Sequence, residues 1–572
     1  MSNWRSGVLG VCAALAAITV VPAQNATPAK TNEAWWKHAV IYEIYPRSFG
    51  DTNGDGVGDL NGITSHLDYL ADLGVDAIWI APFYPSPQVD FGYDISDYNA
   101  IDPQYGTMAD FDRLVAEAKM RNIRVVTDLV LNHTSDRHPW FVESRSSRTN
   151  PKADWYMWHD GKANGQPPNN WQSDFGHSAW QWDPERGQYY YHMFYKEQPD
   201  LNWYNRDLRN AVYDMVRFWI RRGVSGFRLD AITTLFEDPE LRDERLLPGV
   251  SAFGDPVVGH EYTDNLPKVH EVLRELRQVT DEFTDRVLIG ETYLPNVQEL
   301  VKMYGAKNDE LQLPMDTQLG FLNHLSADDF RNKLRDAELA LNGNTPLFVF
   351  DNHDNPRSWN RYGDGVHDAA IARLIATLLL TPRCVSLMYY GQELGMDNSD
   401  PKRKEDVRDP IGITGWPKEK GRDGERTPMQ WTADTNAGFS TAAKTWLPVA
   451  PDYPTRNVSV ERSDPDSLFN YYKALIRLRR DNSALRDGDF ALVNETDHNV
   501  LSYLRRAGDG TAVLVALNLS AKPQTVSFNL EPQGLNGRRA STLLSSFGKA
   551  GQPDDLNNVV LPAYGSWIGQ IR

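Results

Sequence analysis

Acidic side chains stand at the ends of several apolar stretches of this sequence, and they are the groups best suited to chemistry. In residues 226–232 (GFRLDAI) an apolar run ends in Asp230, with Arg228 two positions earlier. Side chains alternate between the two faces of a strand, so Arg228 and Asp230 are predicted to share one face. A neighbouring guanidinium lowers the pKa of a carboxyl group, and we therefore expect an ionised Asp230 that can act as a nucleophile.

An isolated Arg–Asp pair is more often structural, but here the pattern recurs. Glu291 (LIGET) and Asp354 (FVFDNHDN) also follow apolar runs, and His133 and His353 lie just after predicted strands. The sequence has no phosphate-binding loop, dinucleotide fingerprint or G-x-S-x-G nucleophile motif. Carboxylates and histidines without a phosphate cradle suit a neutral, hydroxyl-rich substrate, and paired carboxylates are typical of enzymes that cleave glycosidic bonds.

The elements that position these residues are predicted to alternate between strand and helix. Short buried runs are separated by helical patterns over residues 63–73, 111–120 and 467–480. This order indicates an α/β fold, a closed (β/α)8 TIM barrel whose catalytic groups lie where the strands end. The predicted strands cover residues 38–45, 75–80, 123–131, 225–230, 286–291, 313–316, 347–351 and 385–390.

Two regions interrupt the barrel pattern and a third follows it. The barrel is predicted over residues 31–133 and 206–485, with an irregular insertion at about 392–448. Residues 134–205, after the third strand, are loop-rich and aromatic and too long for an ordinary connection, so we interpret them as an inserted subdomain B. Short alternating strands over residues 489–572 predict a C-terminal all-β domain.

Length and charge limit the classes of partner. The chain of 572 residues is too long for one ordinary domain, and 41% hydrophobic with 24% charged residues is an ordinary globular composition. The net charge is −18 and no sustained basic run occurs. Nucleic acid and anionic membrane surfaces are therefore poor candidates.

The N-terminus is predicted to be a signal peptide over residues 1–23. Arg5 precedes an apolar run over residues 7–21, and small residues follow it. This run is short for a membrane-spanning helix, which needs about 20 apolar residues. We therefore expect export, to the periplasm or to the medium. Removal of Cys12 would leave Cys384 alone, so no intramolecular disulfide is possible.

A loop after the first strand has the spacing of a cation site. Oxygen-bearing ligands stand at alternate positions around a glycine, at Asp51, Asn53, Asp55, Val57 and Asp59. The loop differs from an EF-hand, because a glycine replaces the bidentate glutamate at the twelfth position. We interpret it as one structural Ca²⁺ (or Mg²⁺) site, with a plain Asx-rich turn as the alternative. No organic cofactor is predicted.

Six segments, in order along the chain, resemble those of the α-amylase superfamily, glycoside hydrolase family 13, and within it the α-glucosidase and oligo-1,6-glucosidase branch. They are DLVLNH, QPDLNW, GFRLDAI, IGET, FVFDNHD and RDGERTPMQW. The resemblance covers essentially the whole chain after the signal peptide. It implies small oligosaccharide or glucoside substrates with hydroxyl acceptors, and the loop at residues 51–59 matches the single-ion loop of this branch.

The resemblance implies roles for the three carboxylates. Asp230 would attack the anomeric carbon to form a covalent glucosyl-enzyme, and Glu291 would act first as general acid and then as base for water. Asp354 would bind sugar hydroxyls and stabilise the transition state. The implied outcome is retention of configuration by double displacement. Glu291 must then have a higher pKa than Asp230, which we expect from burial away from Arg228.

The same resemblance implies which residues bind the glucose unit that is released. Tyr93 would stack on it, and Asp94 paired with Arg361 would close the pocket, which gives exo action. Asp128 belongs either to this network or to the structural surroundings of His133. The remaining implied contacts are His133, His353, Phe194 as a wall of the pocket, and Arg228, which orients Asp230.

The residue after the implied nucleophile bears on linkage preference. In this family it tends to be Val in α-1,6-specific members, whereas Ala231 favours α-1,4 bonds such as that of maltose. The predicted function is a retaining, exo-acting α-glucosidase with some transglucosylation. The alternatives are a trehalose synthase, an oligo-1,6-glucosidase or a sucrose-cleaving or glucosyl-transferring relative. The intact carboxylates argue against a non-catalytic binding module, and the oligomeric state is open between monomer and homodimer.

Overall fold

A closed barrel of eight parallel strands forms the centre of the fold, which confirms the predicted fold class. The computed structural model describes residues 34–535, 539–548 and 553–572, and the predicted signal peptide lies outside the described residues. Consecutive strands are neighbours around the barrel, and the last strand pairs with the first. The strands are β1 Val40–Ile44, β2 Ala77–Ile80, β3 Arg124–Val130, β4 Gly226–Asp230, β5 Val287–Gly290, β6 Leu313–Asp316, β7 Leu347–Val349 and β8 Val385–Tyr389.

A helix follows each barrel strand along the chain. These helices are α1 Leu67–Leu73, α2 Met108–Met120, α3 Arg206–Arg221, α4 Val269–Asp281, α5 Val297–Lys302, α6 Ala327–Leu341, α7 Asp368–Leu380 and α8 Leu468–Asp481. Local sequence determines where they begin. Asn205 caps α3 by accepting hydrogen bonds from the N–H groups of Asp207 and Leu208, and Thr107 and Asp110 form a capping box at α2.

The barrel interior has an apolar layer and, towards the carboxyl ends of the strands, a polar one. Ile41, Val126 and Ile289 belong to a buried cluster of side chains from most of the barrel strands. Side-chain direction repeats every second residue, so the next inward positions on the same strands also face the interior. Those positions carry carboxylates: Glu43, Asp128 and Glu291. The alternation of the strands therefore brings the charged groups together.

The segment between β3 and α3 forms small elements of its own. Trp171 and neighbouring side chains build a separate buried cluster on a three-stranded antiparallel sheet. An unpredicted helix, Pro139–Ser146, begins after His138, which accepts the N–H of Trp140, and has proline at its first turn. The sheet strands, in chain order, are Trp158–His159, Trp180–Asp183 and Gln188–Tyr191. A further unpredicted hairpin, between β4 and α4, joins Leu246–Val250 to Pro256–Val258.

After α8 the chain forms antiparallel sheets. In pairing order the larger sheet contains Asp489–Val493, Val500–Arg506, Ala512–Asn518, Ser566–Ile571, Arg539–Ser545 and Pro553–Asp555. A second sheet pairs Gln524–Val526 with Val559–Leu561. The described residues contain no helix with the length and apolar character needed to cross a bilayer.

Seven short helices lie between the longer elements of the described residues. The predicted helix over residues 63–73 is split at His66, whose ring donates a hydrogen bond to the Gly62 carbonyl oxygen (2.7 Å). The short helices are Pro46–Phe49, Leu60–Ser65, Thr317–Gly320, Ser358–Tyr362, Pro410–Gly415, Val458–Ser463 and Ser483–Asp487.

Candidate active site

A cavity of about 440 Å³ opens at the carboxyl ends of the barrel strands. Asp230, Glu291 and Asp354 all line it, although they come from three different strand–loop junctions. The structure therefore brings together the three carboxylates that the sequence singles out. Other predicted residues also line this cavity: Tyr93, His133, Phe194 and His353.

Arg228 lies at the centre of the carboxylate cluster and is almost completely buried. Its Nη1 donates to Asp230 Oδ1 over 2.6 Å, as the predicted shared face requires. The same nitrogen donates to both carboxylate oxygens of Asp128, at 3.1 and 3.2 Å. Its Nη2 donates to Glu291 Oε1. One guanidinium therefore orients three carboxylates.

Two expectations about ionisation in this cluster were wrong. Burial raises the pKa of Asp230 to about 7, and the opposing attraction of Arg228 does not overcome it. Burial also raises the pKa of Glu291 to about 7, although Glu291 is hydrogen-bonded to Arg228 rather than held away from it. A single positive charge shared among three buried carboxylates cannot keep all of them ionised at neutral pH.

The backbone at Ala231 turns sharply and contributes a donor to the site. Its φ of 43° and ψ of 41° lie in the left-handed region, which is uncommon for a residue with a Cβ. The turn directs the Ala231 N–H to Glu291 Oε2 over 2.8 Å. Glu291 thus accepts one bond on each oxygen, and its orientation towards the Asp230 side of the cavity is fixed.

Asp354 has the opposite electrostatic environment. Arg422 Nη1 and Arg426 Nη2 donate to its Oδ1 over 3.0 and 2.8 Å, and His353 Nε2 lies 3.3 Å from Oδ2. Burial alone would raise the pKa of Asp354, but His353 and the two arginines hold it well below its usual value. Asp354 is therefore ionised over the whole range in which Asp230 and Glu291 titrate.

Aromatic rings and histidines form the walls of the cavity. The His353 ring stacks on Tyr93 with centroids 5.3 Å apart and on Tyr45 at 5.6 Å. Burial lowers the pKa of His133 to about 3, so this ring is neutral and can donate or accept a single hydrogen bond per nitrogen. Phe194 packs edge-on against His133 at 5.2 Å. Tyr93, His133, Phe194 and His353 thus border one cavity.

The structure does not pair Asp94 with Arg361, so that part of the prediction was wrong. Asp94 is fully buried and accepts hydrogen bonds from Ser86 Oγ and from the backbone N–H groups of residues 89 and 90. Arg361 donates to backbone carbonyl groups, including that of Pro356, and lies 3.5 Å from Asp351. Neither residue lines the cavity.

The ion pair at this position consists instead of Asp90 and Arg422, which sequence reasoning missed. Arg422 Nη2 donates to Asp90 Oδ1 over 2.8 Å, and both residues line the cavity. Arg422 is the first residue of the RDGERTPMQW segment. The segment was recognised from the sequence, but no role was predicted for Arg422. Asp90 was passed over because it and Asp94 lie in one short loop, where the choice depends on backbone torsions: Phe91 has φ 47° and Gly92 has φ 114°.

The predicted cation loop is held by its own backbone. The Asp51 carboxylate accepts hydrogen bonds from the N–H groups of three loop residues and from the hydroxyl of Ser440. The Asp59 carboxylate accepts hydrogen bonds from the N–H and hydroxyl of Thr52 and from the N–H of Gly62. Within the described residues no group of three or more His, Cys, Asp or Glu side chains is arranged to hold a metal. Asn53 Oδ1 and Asp55 Oδ1 likewise accept backbone N–H groups, those of Asp55 and Val57, at 2.9 and 2.8 Å.

Comparison with known proteins agrees with this geometry. Residues 43–488 match the family model of the alpha amylase catalytic domain. A probable alpha-glucosidase of Rhizobium meliloti is 43% identical over 94% of this chain and 97% of its own length. An oligo-1,6-glucosidase of Parageobacillus thermoglucosidasius is 39% identical over 94% and 99%. The crystal structure of an alpha-glucosyl transfer enzyme, XgtA, superimposes with a TM-score of 0.87 at 40% identity, covering 94% of this chain and 100% of that one.

The chain therefore belongs to the α-amylase family, glycoside hydrolase family 13. The family and its relatives, which include α-glucosidases and oligo-1,6-glucosidases, make it a glycoside hydrolase.

Proposed function

We propose that this protein is a retaining, exo-acting α-glucosidase that releases terminal α-1,4-linked glucose from short saccharides. The observation that carries the proposal is the arrangement of Asp230 and Glu291 on the two terminal nitrogens of Arg228, at one wall of a single cavity. A nucleophile and a proton donor held by one rigid group suit a double displacement. The α-glucosidase and glucosyl-transfer relatives support the substrate class.

In the first step a carboxylate oxygen of Asp230 bonds to the anomeric carbon. The bond from that carbon to the glycosidic oxygen breaks, and Glu291 gives its proton to the leaving oxygen. In the second step Glu291, now ionised, takes a proton from water, and the water oxygen displaces Asp230 with a second inversion. Asp354 remains ionised throughout and stabilises the positive charge that develops on the sugar ring.

The exo mode of action rests on the ion pair of Asp90 and Arg422. Arg422 bridges Asp90 and Asp354, at 2.8 and 3.0 Å, and also bonds to Asp409 at 2.7 Å. Its guanidinium lies over the Phe175 ring, 5.4 Å from the centroid. A side chain held at four points closes that wall of the cavity, and a charged wall with paired oxygens and nitrogens suits the hydroxyls of one terminal glucose.

The first experiment is proton NMR of the purified protein with maltose, in which the anomeric signals are followed from the first minutes. The reducing-end glucose of maltose is released as the α/β mixture that it already was, so α-glucose in excess of that share, ahead of mutarotation, is the expected result. Early β-glucose in excess of that share would overturn double displacement. Trehalose as first product would indicate an isomerase, and cleavage of isomaltose or sucrose but not of maltose would overturn the α-1,4 assignment.

Transfer to hydroxyl acceptors is the second part of the proposal. The 40% identical relative is named an alpha-glucosyl transfer enzyme, and water and a sugar hydroxyl compete for the same glucosyl-enzyme. Product analysis at rising maltose concentration is expected to show oligosaccharides in addition to glucose. Glucose alone, at every concentration, would show that acceptors do not bind productively.

Export and the cation loop are separate proposals. N-terminal sequencing of protein recovered outside the cytoplasm is expected to begin after residue 23, and an intact Met1 there would overturn the signal peptide.

For the cation loop, EDTA is expected to lower the Tm by about 5 °C, because a metal that binds only the native state stabilises it. Asp55→Asn should abolish the EDTA effect, and an unchanged Tm with EDTA would leave the loop as a plain Asx turn.

A further inference from the structure

Glu43 is a buried carboxyl group that the mechanism above does not use. It lies on β1 and has no exposed surface. Its Oε1 is 2.6 Å from His353 Nδ1 and 3.3 Å from the backbone N–H of the same residue. Its Oε2 is buried and has no hydrogen-bond partner among the described residues. A carboxyl group so placed has one functional neighbour, the imidazole of His353.

The other nitrogen of that imidazole faces only acceptors. His353 Nε2 lies 2.6 Å from Tyr93 Oη and 3.3 Å from Asp354 Oδ2. Tyr93 donates its only proton to Asp128 Oδ2 over 3.0 Å. Arg228 donates to both oxygens of Asp128, and burial raises the pKa of Asp128 only to about 6, so Asp128 is a carboxylate acceptor at neutral pH. With the Tyr93 proton committed and Asp354 ionised, Nε2 must carry a hydrogen.

Two proton arrangements remain for the short contact between Glu43 and His353. Either the imidazole is cationic and Glu43 is ionised, or the imidazole is neutral and Glu43 donates its own proton to Nδ1. A buried carboxylate with one unpaired oxygen is costly, whereas a neutral acid leaves only a carbonyl oxygen unpaired. The second arrangement is therefore favoured.

The surrounding charges agree with the neutral pair. Arg228, Asp354 and Asp128 act on Glu43, but burial dominates and raises its pKa well above the usual value. Arg426, Arg228 and Arg422 oppose a cationic His353, Asp354 favours one, and burial lowers the pKa of the imidazole well below its usual value.

We propose that Glu43, in its protonated form, is a positioning residue that donates to His353 Nδ1 and so fixes the tautomer whose Nε2–H points to Asp354 and the cavity. The stacked rings of Tyr45 and Tyr93 hold the plane of the imidazole, and Glu43 sets its rotation within that plane and its proton. That His353 acts on substrate rests on the proposed function, whereas its tautomer does not.

The test compares two substitutions at one position. Glu43→Gln keeps an N–H that can donate to Nδ1 and cannot ionise; it gives up only the long 3.3 Å contact from the His353 backbone N–H. Glu43→Leu removes the donor to Nδ1 as well, at similar volume. We expect kcat/KM for 4-nitrophenyl α-glucoside to stay within about threefold of wild type in E43Q. In E43L it should fall about 10- to 100-fold, as when the outer partner of a functional histidine is removed.

Glu393→Gln is the matched control. Glu393 is equally buried, follows β8, and accepts hydrogen bonds from Tyr42 and Tyr69 rather than from a cavity residue. The Glu393→Gln variant should leave kcat/KM unchanged. This result separates the general effect of losing a buried carboxyl group from the loss of the Glu43 donor to His353. Thermal unfolding of each variant identifies a change that is only structural.

Nitrogen-15 NMR of ring-labelled histidine tests the proton directly, with His353→Asn to assign the signal. A neutral ring with hydrogen on Nε2 and a bare Nδ1 is expected in wild type and E43Q. A cationic ring, or hydrogen on Nδ1 alone, would overturn the proposal, as would an E43Q activity as low as that of E43L. If wild type did not turn over the glucoside, the proposed function would fail while the tautomer result still stood.

Discussion

Two clusters of charge line the same cavity, and they differ in the ratio of arginines to carboxylates. In the first, Arg228 is shared by Asp128, Asp230 and Glu291. Burial then outweighs the attraction of the guanidinium, and the pKa of Asp230 and of Glu291 rises to about 7. This cluster can hold and release a proton at neutral pH, which acid–base chemistry requires.

In the second cluster Arg422 and Arg426 both bond to Asp354. Together with His353 they hold the pKa of this carboxyl group well below its usual value, although it too is buried. The cluster has a fixed negative charge that never accepts a proton from the substrate. The comparison shows that two arginines and His353 together overcome the burial of Asp354, whereas the one arginine shared by Asp128, Asp230 and Glu291 does not overcome theirs.

The largest effect is expected from removing the nucleophile of the first cluster. Asp230→Asn keeps the shape of the side chain but cannot form the covalent intermediate, so kcat/KM should fall about 10⁴-fold or more. Steady-state kinetics on maltose measures this, with thermal unfolding to confirm an intact fold. A loss of less than about tenfold would show that Asp230 is not the attacking group.

A smaller effect is expected in the second cluster from Arg422→Gln. The change removes the partner of Asp90 and one of the two arginines on Asp354, while Arg426 keeps Asp354 ionised. We expect kcat/KM to fall about 10²-fold, of the order found when one charged partner of a buried pair is lost.

Arg361→Gln is the control for that change, because Arg361 was predicted from the sequence to bind the sugar but contacts backbone carbonyl groups. It should leave kcat/KM within about threefold and lower the Tm. The reverse pattern, with R361Q inactive and R422Q active, would restore the original assignment.

Ala231→Val alters the first cluster at its backbone donor. A β-branched side chain is disfavoured at φ 43°, and it adds volume beside Asp230. The ratio of kcat/KM for maltose to that for isomaltose is expected to fall about tenfold or more, since pocket-shape changes are worth about 1–3 kcal/mol. Ala231→Gly, which tolerates the same torsions and adds no atoms, should keep the wild-type ratio. An unchanged ratio in A231V would remove the argument for α-1,4 preference.

The pH dependence of kcat/KM should report the first cluster and not the second. Below about pH 7 Asp230 gains a proton and cannot attack, and above about pH 7 Glu291 loses the proton that it must donate. A bell-shaped pH profile of kcat/KM centred near pH 7 is therefore expected. Each limb falls about tenfold per pH unit. Glu291→Gln should abolish the alkaline limb on a substrate with an activated leaving group. An acid limb that vanished in Asp354→Asn would contradict the division of roles.

The barrel and its carboxylates were predictable because they depend on local pattern. All eight strands show as short buried runs, and Asp230, Glu291 and Asp354 stand at the junctions where a barrel gathers its functional groups. The contact between Arg228 and Glu291 could also have been predicted from the strand register. In the parallel register Arg228 lies opposite Ile289, two residues before Glu291, on a shared face.

The pairing of Asp90 with Arg422 could not be derived in this way. The two residues are 332 positions apart, outside any strand register. The choice between Asp90 and Asp94 depends on torsions at Phe91 and Gly92 that no periodicity encodes. The pKa of Asp230 was missed for a related reason, because the number of carboxylates sharing Arg228 appears only in three dimensions.

The measurement that tests the central claim most directly is identification of the covalent intermediate. The protein is incubated with 5-fluoro-α-glucosyl fluoride, which slows hydrolysis of the intermediate more than its formation, then digested and analysed by mass spectrometry. The account predicts a single labelled peptide carrying one fluoroglucosyl group on Asp230. Label on Glu291 or Asp354, or turnover without any labelled carboxylate under conditions that trap other retaining enzymes, would contradict it.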